Sequence, residues 1–184
     1  MRISIAKACC SVLLLITWPS SLGAQAKGSQ EVSISPREFV EEFYKWYVPQ
    51  ALSDNATAAW NIALKYKRAA FSPELAQLLR EDSAAQARCE ELVGLDFDPF
   101  LNSQDPAERY EVGGITLRGQ HYRADIYSVQ SGKRSEKPSV SAELAKGDGH
   151  WIFVNFFYAD GTDLLTVLRS PKPECSVPRP SRKK

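Results

Sequence analysis

The chain has 184 residues, enough for one domain with a real core, and its 23 basic and 22 acidic side chains nearly cancel. The balance is uneven: five basic residues against one acidic follow Ser170, and setting those and Arg2 and Lys7 aside leaves a body with 16 basic and 21 acidic side chains. An acidic body excludes nucleic acid as a partner, because neutralisation of phosphates supplies most of that affinity.

Arg2 and Lys7 precede an apolar run from Ala8 to Trp18 that is too short to anchor a helix across a bilayer. Pro19 breaks the run, and Ala24 and Ala26 supply the small residues of a cleavage site. Residues 1–26 are therefore expected to be a signal peptide, leaving a periplasmic protein with no membrane span after cleavage. Cys9 and Cys10 sit at the start of the apolar run, where a lipidated cysteine does not belong, and leave with it. The remaining pair, Cys89 and Cys175, predicts one disulfide in an oxidising compartment; the alternative is a buried thiol and a separate tail thiol. Residues 27–35 read as a linker, 36–169 as a single domain and 170–184 as a basic, proline-rich tail in solvent.

Helical signals come first. Ser35, Pro36 and Glu38 form a capping-box start, and Phe39, Val40, Phe43, Tyr44, Trp46 and Tyr47 recur at helical spacing until Pro49. Asn55 or Thr57 is expected to cap a shorter helix that contains Trp60, Ile62, Leu64 and Tyr66. Ser72 and Pro73 start a third, with Leu75, Leu78, Leu79, Asp82, Ala85, Gln86, Cys89 and Leu92 along one face. Asp82 interrupts that stripe and faces either a pocket or solvent at the helix edge.

From Glu108 the period changes to two. Tyr110, Val112, Ile115 and Leu117 alternate with polar residues around a bulge at Gly113 and Gly114. Tyr122 to Val129, Val140 to Leu144, and Trp151 to Tyr158 follow, the last two joined by a Gly147-Asp148-Gly149 hairpin turn. Trp151 to Tyr158 is apolar on both faces, which predicts a central strand. Leu164, Leu165, Val167 and Leu168 predict a short closing helix. Three helices before a four-stranded antiparallel meander define an α+β fold with helices packed on one face of a curved sheet.

Four stretches, FVEEFYKWY at 39–47, SPELAQLL at 72–79, GLDFDPFLNSQDP at 94–106 and WIFVNFFY at 151–158, together resemble an exported bacterial family known as domain of unknown function 3828. The resemblance runs from about Pro36 to Leu168. It implies an envelope location and a fold similar to nuclear transport factor 2, in which helices and a curved sheet form a cone around a cavity. It implies no catalytic residues, and fold alone does not assign a function.

The residues exclude several chemistries. Asp96 and Asp98 fit the first two positions of a calcium loop, but Phe100 and Leu101 stand where a ligand and glycine belong. Zinc needs clustered histidine or cysteine, and His121 and His150 are the only histidines. An Asp-x-Asp phosphatase pair would end a buried parallel strand, whereas residues 96–98 follow a helix. Acid–base work in a cone leaves Asp82, Asp125, His121, Asn155 and Tyr158 as candidates. Asn155, inside an apolar strand, is either a satisfied core amide or a ligand-facing group. The dense aromatics of the first helices pack the core or, where exposed, line a recognition surface.

The expected protein is thus an exported domain with no evident catalysis, cofactor or metal, binding a small apolar ligand or a protein partner. The alternatives are a toxin-neutralising immunity protein, and a cone-fold isomerase, lyase or hydrolase using a pocket carboxylate. Tyr44, Tyr47, Trp60, Asp82, Asp96, Asp98, Asn155 and Tyr158 are the candidate pocket residues. The glycine-to-proline segment at 94–106 is expected to act as a hinge between the helical and sheet halves, its aspartates bonding local amides.

Overall fold

A computed structural model describes residues 34–177 and 179; the expected signal peptide lies outside them. Helix α1 (Pro36–Ala51) opens on the expected capping box, with Ser35 Oγ accepting from the Glu38 amide and Glu38 accepting from the Ser35 amide. Its buried stripe is Val40, Phe43, Tyr44, Tyr47 and Val48. Pro49 does not end the helix as expected. It enters the last turn, and Leu52 N–H still bonds the Val48 carbonyl at 3.0 Å.

Helix α2 (Ala59–Tyr66) is capped by neither Asn55 nor Thr57, because Ala58 occupies the N-cap without a side-chain bond. Polar contacts to α3 (Pro73–Arg88) hold it instead. Trp60 Nε1 donates to Ser83 Oγ at 3.3 Å, and Ser83 donates to Asn61 at 2.8 Å. Ser72 caps α3 as expected. The helix stops at Arg88, so Leu92 falls outside the stripe and is 58 % exposed.

The sheet is an open antiparallel meander in the order β1 (Arg109–Arg118), β2 (His121–Gln130), β4 (Val140–Gly147) and β5 (His150–Tyr158). A two-residue strand β3 (Lys133–Arg134), hidden in the charged loop of the sequence, pairs with the end of β2. The register shifts between Val112 and Ile115, where the two glycines predicted a bulge. Gly113 is needed there, since a Cβ would sit 2.4 Å from Tyr127 Cε2.

Strand β5 is an edge strand, not a central one. It is apolar on both faces because other elements wrap it. Phe71 makes a parallel bridge to Phe153, Asp163 bridges Phe157, and α4 (Leu164–Arg169) packs against it. Helix α4 is the predicted closing helix.

Between helices and sheet lies a filled core. Phe43, Phe71, Phe100, Phe153 and Phe156 meet at ring-centroid distances of 4.8 to 5.8 Å, in tilted, edge and stacked pairs. Their rings pack the space between helices and sheet, and the sheet is open.

The start of the tail is not a solvated end. Cys89 and Cys175 form a disulfide with Cα atoms 5.6 Å apart. Glu90 N–H bonds the Val177 carbonyl, and Arg179 N–H bonds the Arg88 carbonyl. The Glu91 carboxylate accepts from Ser176 and Val177, which holds its pKa down at about 2, chiefly through the Ser176 hydroxyl.

Candidate functional site

The segment at 94–106 joins the two halves and carries most of the polar chemistry. It begins at Gly94, six residues past the end of α3 but close against it, where a Cβ would lie 2.8 Å from Asp82 Oδ2. That close approach lets Asp82 accept the Leu95 amide at 3.0 Å, while its other oxygen takes Lys172 Nζ at 2.5 Å. Asp82 is therefore buried and does not face solvent. It fastens the hinge and the tail to α3.

Asp98 is the segment's centre. Tyr47 donates its hydroxyl to Asp98 Oδ2 at 2.5 Å, and the Phe100 and Leu101 amides donate to Oδ1 at 3.0 and 3.1 Å. The expected local aspartate-to-amide bonds thus form at Asp98, and the turn swings Phe100 and Leu101 into the core. Tyr44 and Tyr158 bond the carbonyls of Phe100 and Pro99 at 2.7 and 3.1 Å. Burial raises the pKa values of Tyr44, Tyr47 and Tyr158, with the charge of Asp98 adding to it. All three act here as neutral donors.

Burial also pushes the Asp98 carboxyl up to about 6, against the opposing hydrogen bonds from Tyr47, Phe100 and Leu101. A folded-state value raised above the unfolded one means the native state holds its proton longer. The resulting stabilisation is full below about pH 4 and is lost as pH rises through about 6, a change of about 3 kcal/mol. Denaturant titrations between pH 4 and 7 should record this decline, and Asp98→Asn, which cannot titrate, should flatten it. An unchanged slope in the variant would remove Asp98 as the cause.

Asn155 is a satisfied core amide. It donates to Asp163 at 2.8 Å and accepts from Leu165 N–H at 3.1 Å, pinning α4 to β5. The remaining candidates are divided among open depressions. One, about 380 Å³, lies between the end of α1, the start of α2 and the hinge, and it brings together Trp60, Asp96 and Asp98. Asp96 is exposed there, accepting from Gln104 at 3.2 Å, and Leu92 and Phe97 add apolar surface. A second, about 360 Å³, places Tyr44 beside Tyr110, Glu41 and Glu111. A third, about 250 Å³, has Tyr158 in its wall. Tyr47 lines none of these three, being fully buried.

The candidate carboxylates are held by separate partners: Asp82 by Lys172 and the Leu95 amide, Asp98 by Tyr47, and Asp125 by the Ser141 hydroxyl at 2.6 Å. His121 sits 3.5 Å from Glu143 on the sheet, and His150 lies near the carbonyls of Asp148 and Ala69. Among the described residues no three His, Cys, Asp or Glu side chains cluster for a metal, and no helix is long and apolar enough to cross a membrane. Two cations escaped sequence reasoning. Lys172 was hidden in a tail read as solvent. Arg123 was singled out by no pattern, because its partner Phe157 lies two strands away.

Fold and depressions together define a class: helices on an open antiparallel meander, with a packed aromatic core and open depressions on the outside. No family model and no curated protein matches the chain. Among solved structures it is similar to a chain of the type VI native effector–immunity complex Tae3–Tai3 from Ralstonia pickettii. The identity is 21 % and the TM-score 0.50, over 68 % of this chain and 95 % of that one. It is also similar to a protein of unknown function from Bacteroides thetaiotaomicron, at 18 % identity and TM-score 0.46 over 65 % and 86 % of the two chains. A SEC-C motif containing protein from Rhodopseudomonas palustris follows at 15 % and 0.37, over 68 % and 80 %. The first likeness is one of fold.

Proposed function

We propose that this is an exported domain that binds a protein partner, in the manner of an immunity protein bound to its effector. The observation that carries the reading is the fold match to a chain of the Tae3–Tai3 effector–immunity complex over nearly all of that chain. The architecture supports it from the other side. A small apolar ligand needs an enclosed apolar space, and here five phenylalanine rings fill the interior. The depressions are open, mixed in polarity and bordered by exposed Leu92, which suits a protein surface. An intramolecular disulfide and a leader-like N-terminus support export to the periplasm. Membership of the domain of unknown function 3828 family, carried by the stretches at 39–47, 72–79, 94–106 and 151–158, belongs to the same proposal.

The test is direct binding. The mature chain, titrated calorimetrically against each purified effector secreted by its own strain, is expected to form a one-to-one complex with one of them and none with the rest. Binding to no effector, together with turnover of a small substrate that depends on Asp96 or Asp98, would overturn the reading in favour of an enzyme.

A further inference from the structure

We propose that the depression on the outer face of the sheet is a carboxylate-binding site, filled in the complex proposed above by an aspartate or glutamate side chain of the partner. The source of the carboxylate rests on that reading; the chemistry of the site does not.

The site is built on Arg123 of β2. Its guanidinium lies over the Phe157 ring of β5, with Cζ 3.6 Å from the centroid, reaching past β4. The cation–π contact holds the group in the wall of the depression. No protein acceptor meets its N–H edges among the described residues, and Arg123 Nε is the buried side-chain polar atom there that lacks a partner. Native folds seldom leave such a donor without one.

The acids that share its face are engaged elsewhere. Glu143, directly opposite Arg123 in the register, lies 3.5 Å from His121. Asp125, two residues along the strand, accepts the Ser141 hydroxyl at 2.6 Å. Lys137 and Pro138 of the β3–β4 loop complete the wall with Ser141, Phe157 and Tyr158, so the depression of about 250 Å³ holds two cations and no carboxylate.

A planar guanidinium fork beside an ammonium matches a planar carboxylate, which takes two parallel N–H bonds from the fork. The acidic body around it disfavours a doubly charged phosphate by comparison. The position also suits a partner. Phe97, in the wall of the Asp96 and Asp98 depression, meets Tyr158 of this one edge-on, with centroids 5.5 Å apart. A partner seated across both faces an acidic site and a basic site side by side, which sets its orientation.

The test uses the mature chain labelled with ¹⁵N, titrated at constant ionic strength with N-acetylglutamate amide, its neutral glutamine counterpart, and inorganic phosphate. The glutamate probe is expected to shift the Arg123 Nε–H resonance and the Ser141 and Phe157 amides saturably, and the glutamine probe to leave them in place. Arg123→Lys keeps the charge but loses the fork and should weaken the probe about fivefold or more. Lys137→Gln, in an exposed loop where folding is not at stake, should weaken it about twofold to threefold. Equal shifts from the glutamine probe, saturation by phosphate alone, or no loss in Lys137→Gln would each overturn the proposal. A glutamate probe that binds while no effector does keeps the carboxylate site and removes only the immunity reading.

Discussion

Phe100→Ala is expected to destabilise the domain by about 4 kcal/mol, within the range for emptying a buried aromatic site. Phe100 is fully buried and touches Phe43, Tyr47, Phe71 and Phe156, with centroids at 5.8, 5.2, 5.1 and 4.8 Å. Those partners come from α1, the segment leading into α3, and β5, so the ring is the point where helices and sheet are held together. The neighbours are large and already tightly paired, so the hole cannot collapse without breaking other contacts. Urea unfolding followed by tryptophan fluorescence measures the loss. A change below about 1 kcal/mol would mean that the hinge is not the core plug described here.

Removal of the disulfide, as Cys89→Ala with Cys175→Ala, is expected to cost about 4 kcal/mol, because the bridge closes a loop spanning a sequence separation of 86. The cost has a local part as well. Without the bridge, Lys172 is freer to leave Asp82, whose charge is then buried beside the Leu95 amide alone. Limited proteolysis should therefore cut the variant near Lys172 while the wild type resists. Non-reducing mass analysis that finds Cys89 and Cys175 as free thiols would contradict the bridge itself.

How much of this was legible in the sequence depends on what a local pattern reports. Ser35 and Ser72 announced their helices because capping is chemistry between neighbours in the chain. Gly113 and Gly114 announced a bulge for the same reason. Trp151 to Tyr158 misled because alternation reports burial and not strand order. Its outward side is covered by α4 and by Arg123, so an edge strand reads as a central one. Asp82 misled because its partner, Lys172, lies 90 residues away. Spacing marked a dense set of aromatics on the first helices, packing the core or lining a surface, and the structure places Phe43, Tyr44 and Tyr47 in the core.

The candidate site was legible in part. Asp96 and Asp98 were suspect by their density, and Trp60 joins them at one depression because α2 begins where the hinge passes. Tyr47 and Asn155 turned out to hold the hinge and α4, roles that depend on partners the sequence could not name. Arg123 gave no signal of its own. The β4 register sets Phe157 in line with Asp125, so Arg123 reaches that ring on a diagonal that only the folded sheet reveals.

The proposed immunity role is tested most directly by competition between a strain lacking this gene and its parent. Grown in contact, the deletion strain is predicted to be outcompeted, and to recover when the parent loses the one effector that binds the purified protein or when the gene is restored with its leader. Equal fitness of the two strains under conditions where that effector is secreted would contradict the account.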